Sequence, residues 1–597
     1  MMGNWRTIDN TGKIFPATSN RRDTRVFRLY VVLKENVDGD VLQQALDKTI
    51  EKYPLFLSVI RKGFFWYYLE KSDLKPEAAL ESKSPCSSIY IRDKKSLLFE
   101  VTYYKNKINF EVFHALTDGT GAVEFIRELT KNYICIKHGL ADVVLGDELN
   151  TEVDYETDGF DKYYENNQKV SNQKQPRTYQ LHGLHCEPGT MKLNEYVFST
   201  DELRNKARQL GVSITVLLTS VLIYSINEER RVRNKRPIGI MVPVNLRKYF
   251  PSETMMNFFG WISPYHDFST EGTDLKDVVS SIKQRFKEGL HKENIIARMN
   301  KLVKMEKNPF LRGIPLELKI ISMRLAASMS TGEITAVYSN IGALKLPDEI
   351  GGYVQRFGFF VSTPKVQMCS CSYKDEFTVS ITSAFENDNI QRNFLRNLKT
   401  MGIDAKDSKT EYPKEFAKPY KGLMFVKVFT FAMIALAVIT LGINYMLRPV
   451  NHWPLYTVFG AMCMWFVSIL GYFKRKNLYK NAIWQQIIVT AICIIWDMMT
   501  GWKGWSVEFV FPAVNMVILI SLFVISLVQK EHIRKNMIYF LMSGAIGLVP
   551  FVLLLTGCLL FPYVAMMGSI ISFLVITAVI IFMWNDVKHE IMKKFHV

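Results

Sequence analysis

The segment that decides the fold is Phe113-His114-Ala115-Leu116-Thr117-Asp118-Gly119. Residues 108–113, just before His114, alternate with the period of a β-strand, which turns His114 toward the same face as the apolar positions 108, 110 and 112. The Gly119-Thr120-Gly121 stretch is typical of a turn, and apolar residues then recur at helical spacing over 122–133. The sequence therefore predicts an inward-facing histidine at a strand-to-helix corner.

An imidazole changes its protonation state near neutral pH, so a histidine in an apolar pocket is suited to general base catalysis. The acid at Asp118, four residues later on a tight turn, supplies a geometric anchor for the corner. A buried histidine with a purely structural role is the alternative interpretation of His114. We take the corner as the candidate catalytic site.

The chain is long and basic. It has 597 residues, with 74 Lys and Arg against 57 Asp and Glu, which gives a formal net charge of +17. Such a charge fits either nucleic acid or an anionic membrane surface. No nucleic-acid-binding motif is present, and many basic residues flank apolar C-terminal segments, as orientation signals of membrane helices do. We expect membrane lipids, and no nucleic acid, as partners.

The eight cysteines have no disulfide-framework spacing, which is typical of a reducing compartment. The N-terminus lacks the apolar core of a signal peptide, so the long polar N-terminal region is expected in the cytoplasm. The His182-Gly-Leu-His185-Cys186 stretch has no fourth ligand at suitable spacing, and we therefore expect no metal site.

Strands and helices mix without a strict βαβ alternation, which favours an α+β class with mixed sheets. Examples are a predicted strand over 26–33, a helix over 40–53 and short strands near 89–91 and 97–103. After a polar stretch the pattern restarts, with a helix over 213–226 that is apolar nearly all round and a core strand over 238–247. The helix is expected to be buried.

Six apolar runs follow residue 412, each near the length of about 20 residues that a membrane-spanning helix needs. They cover 423–447, 453–473, 482–499, 507–528, 537–556 and 563–584. The connections at 474–480 and 530–535 and the segment 588–594 are basic, whereas the other connections are not. By the positive-inside rule both termini are expected in the cytoplasm of a multi-pass protein of the cell membrane.

Three segments together resemble a known superfamily. The stretch from His114 to Gly119 matches the HxxxDG signature of the condensation-domain and chloramphenicol-acetyltransferase-like acyltransferases. The Val244-Asn-Leu-Arg247 segment with Asn257-Phe-Phe-Gly260, and the Tyr338-Ser-Asn-Ile-Gly342 segment, are similar to later segments of those families. Many members of the superfamily carry a doubled histidine, HHxxxDG, and this chain has Phe113 in place of the first. The chain most resembles bacterial alcohol acetyltransferases that carry a C-terminal hydrophobic domain.

The resemblance implies two α+β subdomains with a tunnel between them and His114 at its centre. It further implies that His114 deprotonates an acceptor hydroxyl, which attacks an acyl thioester. Asp118 is then a structural acid, expected to pair with Arg247, and Gly119 allows the tight turn. Ser339 or Asn340 is a candidate donor to the oxyanion, with a plain strand end as the alternative.

We predict four regions. Residues 1–148 form an N-terminal acyltransferase subdomain, 149–190 a polar linker or excursion, 191–412 a C-terminal acyltransferase subdomain, and 413–597 an all-α membrane domain of about six transmembrane helices. The predicted function is acyl transfer, with acetyl as the expected group, to an alcohol or lipid hydroxyl. The expected co-substrate is acyl-CoA, or else an acyl carrier protein thioester, with no covalent cofactor. A catalytically inert binding module and a membrane sensor or transporter are the alternatives.

Overall fold

A computed structural model describes residues 5–145, 159–164, 175–230, 235–252, 254–406, 410–413, 416, 424–447, 453–474, 477–528, 533–557, 559 and 561–595. The chain divides into two compact units, Met1–Lys418 and Pro419–Val597, called unit 1 and unit 2 below.

The strands, all in unit 1, are β1 (Trp5–Thr7), β2 (Val26–Leu33), β3 (Ser58–Lys62), β4 (Tyr67–Lys71), β5 (Ala78–Leu80), β6 (Phe99–Tyr104), β7 (Lys107–Phe113), β8 (Lys192–Ser199), β9 (Ile238–Asn245), β10 (Phe259–Ile262), β11 (Tyr265–His266), β12 (Ala336–Ala343), β13 (Val354–Val361), β14 (Val366–Tyr373) and β15 (Glu376–Ser383).

The helices of unit 1 are α1 (Ile14–Thr18), α2 (Gly39–Lys52), α3 (Gly119–His138), α4 (Gly159–Lys162), α5 (Thr200–Gln209), α6 (Ile214–Glu228), α7 (Leu275–Gly289), α8 (Lys292–Lys307), α9 (Pro309–Gly313), α10 (Leu316–Ser330), α11 (Asp348–Gly351) and α12 (Asn389–Thr400). Those of unit 2 are α13 (Met424–Leu447), α14 (Trp453–Lys474), α15 (Leu478–Met499), α16 (Phe511–Val528), α17 (Ile533–Gly547), α18 (Val549–Leu555) and α19 (Pro562–Phe595).

The first large sheet of unit 1 has the strand order β13-β2-β7-β6-β5. Strand β7 lies between β2 and β6 and pairs antiparallel with both. All seven of its residues are buried, because α2 and α3 cover the sheet with apolar residues that join one core cluster. The central strand of this sheet therefore delivers residue 114 to the interior.

The second large sheet has the order β10-β9-β12-β14-β15-β8, with β11 also pairing β9. Strand β12 runs parallel to β9 and β14, while the other pairs are antiparallel, so the sheet is mixed. Helix α6 packs on it within a separate core cluster, and most of its residues are buried. The predicted buried helix over 213–226 is thereby confirmed.

Strand β13 comes from the C-terminal part of unit 1 but pairs with β2 of the first sheet. The second half of unit 1 therefore contributes one strand to the first sheet, an arrangement that no local pattern in the sequence indicates. Mixed sheets with packed helices, followed by an all-helical unit, confirm the predicted α+β class.

The predicted strand over 89–91 was wrong. Ile89 and Tyr90 are buried in irregular backbone instead, and the Tyr90 ring stacks on Phe113 with ring centroids 4.8 Å apart. Burial of two apolar side chains produced the strand-like pattern without a neighbouring strand to pair with.

Unit 2 contains, in its described part, six helical segments that are long and apolar enough to cross a membrane. They are Met424–Leu447, Pro454–Lys474, Leu478–Met499, Ser506–Val528, Asn536–Leu555 and Pro562–Trp584. A buried polar network joins several of them: Gln486 Nε2 donates to Asn515 Oδ1 at 2.6 Å, and Asn515 Nδ2 donates to Ser572 Oγ at 2.8 Å. Such interhelical hydrogen bonds are typical of membrane bundles.

Candidate active site

His114 lies directly after β7. Its main-chain N–H donates to the carbonyl oxygen of Arg25 at 2.9 Å, which continues the pairing with the start of β2. The rings of Phe15, Phe27 and Phe259 surround the imidazole, with centroids 4.4, 4.9 and 5.5 Å from its own. The predicted inward-facing, apolar position of His114 is therefore present.

Phe113 is the last residue of β7 and precedes His114. It is fully buried and stacks on Tyr90, away from the aromatic rings around His114. The position is part of the core, so the chain carries one histidine at this corner.

Burial lowers the pKa of His114 below its ordinary value of 6.5, because desolvation disfavours the charged imidazolium. The carboxylate of Asp118 and hydrogen bonds to the ring act in the opposite direction without cancelling the shift. The residue nevertheless keeps partial solvent access. The imidazole is therefore neutral near pH 7.

Asn257 fixes which ring nitrogen of His114 carries the proton. Its Oδ1 lies 3.1 Å from His114 Nδ1, while its Nδ2 donates to Asp9 Oδ2 at 3.0 Å. The opposite amide orientation would set Oδ1 against a carboxylate oxygen, so Oδ1 faces the histidine and Nδ1 must be the donor. Among the described residues, none forms a hydrogen bond with Nε2, which is left with its lone pair.

Asp9 is fully buried, and three N–H groups donate to its carboxylate. Its Oδ1 accepts from the main-chain N–H of Gly12 at 2.6 Å, and its Oδ2 accepts from the main-chain N–H of Asn257 at 3.2 Å as well as from the Asn257 side chain. These contacts suit an ionised carboxylate. Asp9, Asn257 and His114 thus form one continuous hydrogen-bonded row.

The carboxylate of Asp118 makes four hydrogen bonds and does not face the His114 ring nitrogens. Its Oδ1 caps α3 by accepting from the main-chain N–H groups of Thr120 and Gly121 at 3.0 and 3.2 Å. Its Oδ2 accepts from Arg247 Nη1 at 2.7 Å and from the main-chain N–H of Phe258 at 2.9 Å. The expected contact of Asp118 with Arg247 is present, and both side chains are buried.

Arg247 holds the segment that carries Asn257. Its Nη2 donates to the carbonyl oxygens of Thr254 and Met256 at 2.7 and 2.8 Å, and its Nε donates to Thr254 as well. The Asp118–Arg247 pair therefore acts on His114 indirectly, by fixing the backbone on either side of Asn257.

The turn after His114 packs tightly against the same segment. Thr117 Oγ1 donates to the carbonyl oxygen of Met255 at 2.6 Å. A Cβ atom at Gly121 would lie 2.7 Å from that oxygen, so only glycine fits there. A Cβ atom at Gly119 would lie 3.1 Å from Ile341 Cγ2, which brings the end of β12 beside the turn.

Ser339 and Asn340 lie on β12 close to that end. Asn340 Nδ2 donates to Thr215 Oγ1 at 3.0 Å, and its Oδ1 accepts from the main-chain N–H of Gly342 at 2.8 Å. Both ends of the Asn340 side-chain amide are thus hydrogen-bonded to residues on or beside the second sheet. Ser339 is half-buried on the opposite side of the strand.

Sequence reasoning missed Asp9 and Phe15, and it gave Asn257 no role. Asp9 lies 248 residues from Asn257, on a loop between β1 and α1 without a motif. The one signal available was Asn257 itself, whose segment resembles that of the acyltransferases. A polar side chain inside an apolar stretch requires a buried partner.

A family model described as a family of unknown function, DUF6320, matches residues 412–597. The matched range covers unit 2 and the last seven residues of unit 1. A comparison with curated protein sequences gives no significant match.

Solved structures similar to this chain cover about two thirds of it. TRI101 of F. graminearum, complexed with coenzyme A and T-2 mycotoxin, has 12% identity and a TM-score of 0.47, and covers 68% of this chain and 100% of its own. TRI3 trichothecene 15-O-acetyltransferase of Fusarium sporotrichioides has 10% identity and a TM-score of 0.46, covering 67% and 95%. The starter condensation domain of rhizomide synthetase, in complex with C8-CoA and Leu-SNAC, has 11% identity and a TM-score of 0.46, covering 67% and 95%.

Proposed function

We propose that the protein is a membrane-anchored O-acyltransferase that transfers an acyl group, acetyl in the simplest case, from acyl-CoA to a hydroxyl group. The observation that carries the proposal is the buried row Asp9–Asn257–His114. It leaves His114 neutral, with Nδ1 protonated and the lone pair of Nε2 available. That is the state a general base requires before the reaction begins.

In the proposed mechanism, His114 Nε2 removes the proton of the acceptor hydroxyl as its oxygen attacks the thioester carbonyl carbon. The tetrahedral intermediate then collapses, the carbon–sulfur bond breaks, and the thiolate takes the proton back from Nε2. The products are an ester and a free thiol, and no covalent enzyme intermediate is needed. During the reaction the imidazolium keeps its Nδ1–H bond to Asn257, whose amide is held by the Asp9 carboxylate.

The developing oxyanion needs a donor, and the sequence offers two on β12. The hydrogen bond from Asn340 Nδ2 to Thr215 turns that side chain toward α6, so we assign the role to the hydroxyl of Ser339. Asp118, Gly119 and Arg247 serve as positioning residues, because their contacts are with the turn and with the segment around Asn257.

An acyl carrier protein thioester is the second candidate acyl donor, in place of acyl-CoA.

The number of candidate spans bears on the acceptor. A single helix would suffice as an anchor, so six candidate spans favour an acceptor or product that is itself lipophilic. We further propose that unit 1 and both termini are cytoplasmic, on the basis of the basic connections between the spans.

The full-length protein, purified in detergent, tests the proposal directly. It is incubated with acetyl-CoA and a panel of short- and long-chain alcohols, and both free thiol and ester product are followed. Equal amounts of thiol and ester are expected with at least one alcohol. Binding of acetyl-CoA without thiol release for any acceptor would instead indicate an inert binding module.

A further inference from the structure

Helix α10 has apolar residues on two opposite faces. One face, with Leu316, Ile320 and Met323, packs into unit 1. The opposite face carries four large side chains that lie within an arc of about 80° on the helix. These are Leu318, Ile321, Leu325 and Met329, which are 58%, 63%, 65% and 73% exposed.

In the short helix α9, which precedes α10 in the chain, Phe310 is 81% exposed. We call Phe310, Leu318, Ile321, Leu325 and Met329 the α10 surface. A helix that is apolar all round is normally enclosed on all sides, whereas this one is enclosed on one side only. Contiguous exposed apolar side chains of this kind mark an interaction site.

The segment of the chain that contains the α10 surface is basic. Residues 292–330 contain eight Lys and Arg against three Glu, and Lys301, Lys304 and Arg312 are exposed. A second copy of this chain would bring two such positive regions together, which like-charge repulsion opposes. An anionic partner with an apolar interior is favoured instead.

The candidate membrane helices of the same chain would bring a lipid bilayer close to unit 1. The first candidate membrane helix begins at Met424, six residues beyond the end of unit 1 at Lys418. Six residues span about 20 Å at most, so once the helices of unit 2 are inserted, a bilayer surface lies within reach of unit 1.

We propose that the α10 surface docks unit 1 onto the headgroup region of an anionic lipid bilayer. Apolar side chains rimmed by Lys and Arg, with little acidic charge nearby, are the features of segments that lie in a membrane interface. Each basic residue near an anionic bilayer adds an attraction to such binding, which grows with the share of anionic lipid. This docking does not depend on the acyl transfer proposed above.

The surface is one helix away from the candidate active site. Arg324 of α10 donates from Nε to the carbonyl oxygen of Ala17 in α1 at 2.7 Å, and Phe15 of α1 stacks on His114. Docking through α10 would therefore hold the His114 side of unit 1 at the lipid surface. Supply of a lipophilic acceptor from the bilayer would follow, and that consequence alone rests on the proposed function.

A photo-crosslinking experiment on the full-length protein tests the docking. The photoreactive residue p-benzoylphenylalanine replaces Leu325 in one variant and Leu80 in a control variant. Leu80 is a leucine of unit 1 with a similar exposure of 63%, and it lies on β5 outside the surface. Both variants are reconstituted into vesicles of equal parts phosphatidylcholine and phosphatidylglycerol, irradiated and analysed by mass spectrometry for lipid adducts.

We expect lipid adducts at position 325 at least several-fold above those at position 80, and a further fall when phosphatidylglycerol is omitted. Equal yields at the two positions would overturn the proposal. Crosslinks from position 325 to a second copy of the chain, or to peptides of α13–α19, in place of lipid, would also overturn the proposal. Yields unaffected by phosphatidylglycerol would overturn the electrostatic part of the docking.

Discussion

Asn257 Oδ1 lies 3.1 Å from His114 Nδ1, and the same side chain donates to Asp9 3.0 Å away. The Asn257 amide therefore couples the neutral imidazole to a buried carboxylate that does not touch the ring. The tautomer of His114 therefore depends on the carboxylate at position 9, which fixes the orientation of the Asn257 amide.

Asp9→Asn is expected to lower kcat by about 10²-fold or more, the range in which a well-placed general base contributes. With a donor at position 9, the amide of Asn257 is free to reverse and to donate to His114 Nδ1, which leaves the proton on Nε2. Initial rates across pH test this, with Asp73→Asn, at an exposed position, as the control. A variant that folds normally and keeps a rate within three-fold of wild type, roughly 0.7 kcal/mol, would contradict the role of Asp9.

Asp118→Asn is expected to reduce stability as well as activity. Removing one partner from a buried ion pair costs about 3–5 kcal/mol, and the cap of α3 is weakened at the same time. Chemical denaturation and folded yield measure the effect. The exposed pair Asp201–Arg204 supplies the control, because Asp201→Asn should change stability by less than about 1 kcal/mol. Normal stability with lost activity would argue that Asp118 acts directly in the chemistry.

The pH dependence of kcat/KM is expected to report the lowered pKa of His114. A lowered pKa keeps the neutral, base-competent form down to lower pH, so the acid limb should have its midpoint below 6.5. Phe15→Ala removes the ring that stacks on the imidazole, admits water, and should move that midpoint upward toward 6.5. Phe64→Ala, at a largely exposed ring, should leave it unchanged. A midpoint above 6.5 in the wild type would exclude His114 in this desolvated state as the titrating base.

Gly121→Ala tests the fit of the turn against the segment that carries Asn257. The added methyl group would lie 2.7 Å from the carbonyl oxygen of Met255, so backbone must shift, at a cost of about 1–3 kcal/mol. We expect lower thermal stability and a lower kcat. Gly313→Ala, where a Cβ atom meets nothing within 4 Å, is the matched control and should be neutral. Equal behaviour of the two variants would refute the tight packing at Gly121.

Local sequence patterns predicted the corner at His114 and the candidate membrane spans. The alternation before His114 and the turn after it predicted the corner, and the apolar lengths beyond residue 412 predicted six candidate spans. The pairing of Asp118 with Arg247 followed from a resemblance, since no spacing rule joins residues 129 positions apart.

The remaining features depend on tertiary contacts that a linear pattern does not encode. Strand β13 reads as an ordinary apolar strand, and nothing local indicates that it pairs with β2 of the first sheet. Asp9 is an isolated acid, whose significance appears only when Asn257 is brought against it from a distant segment. The two faces of α10 are alike in composition, so the sequence does not tell which of them remains exposed.

The most direct test of the central claim is the initial rate of thiol release from acetyl-CoA by full-length wild type, His114→Ala and His182→Ala, with the best alcohol acceptor. His182 is an exposed histidine outside the site, so its variant should match wild type. The account predicts a loss of at least about 10²-fold for His114→Ala, with unfolding behaviour close to wild type. A His114→Ala rate within a few-fold of wild type would contradict His114 as the general base.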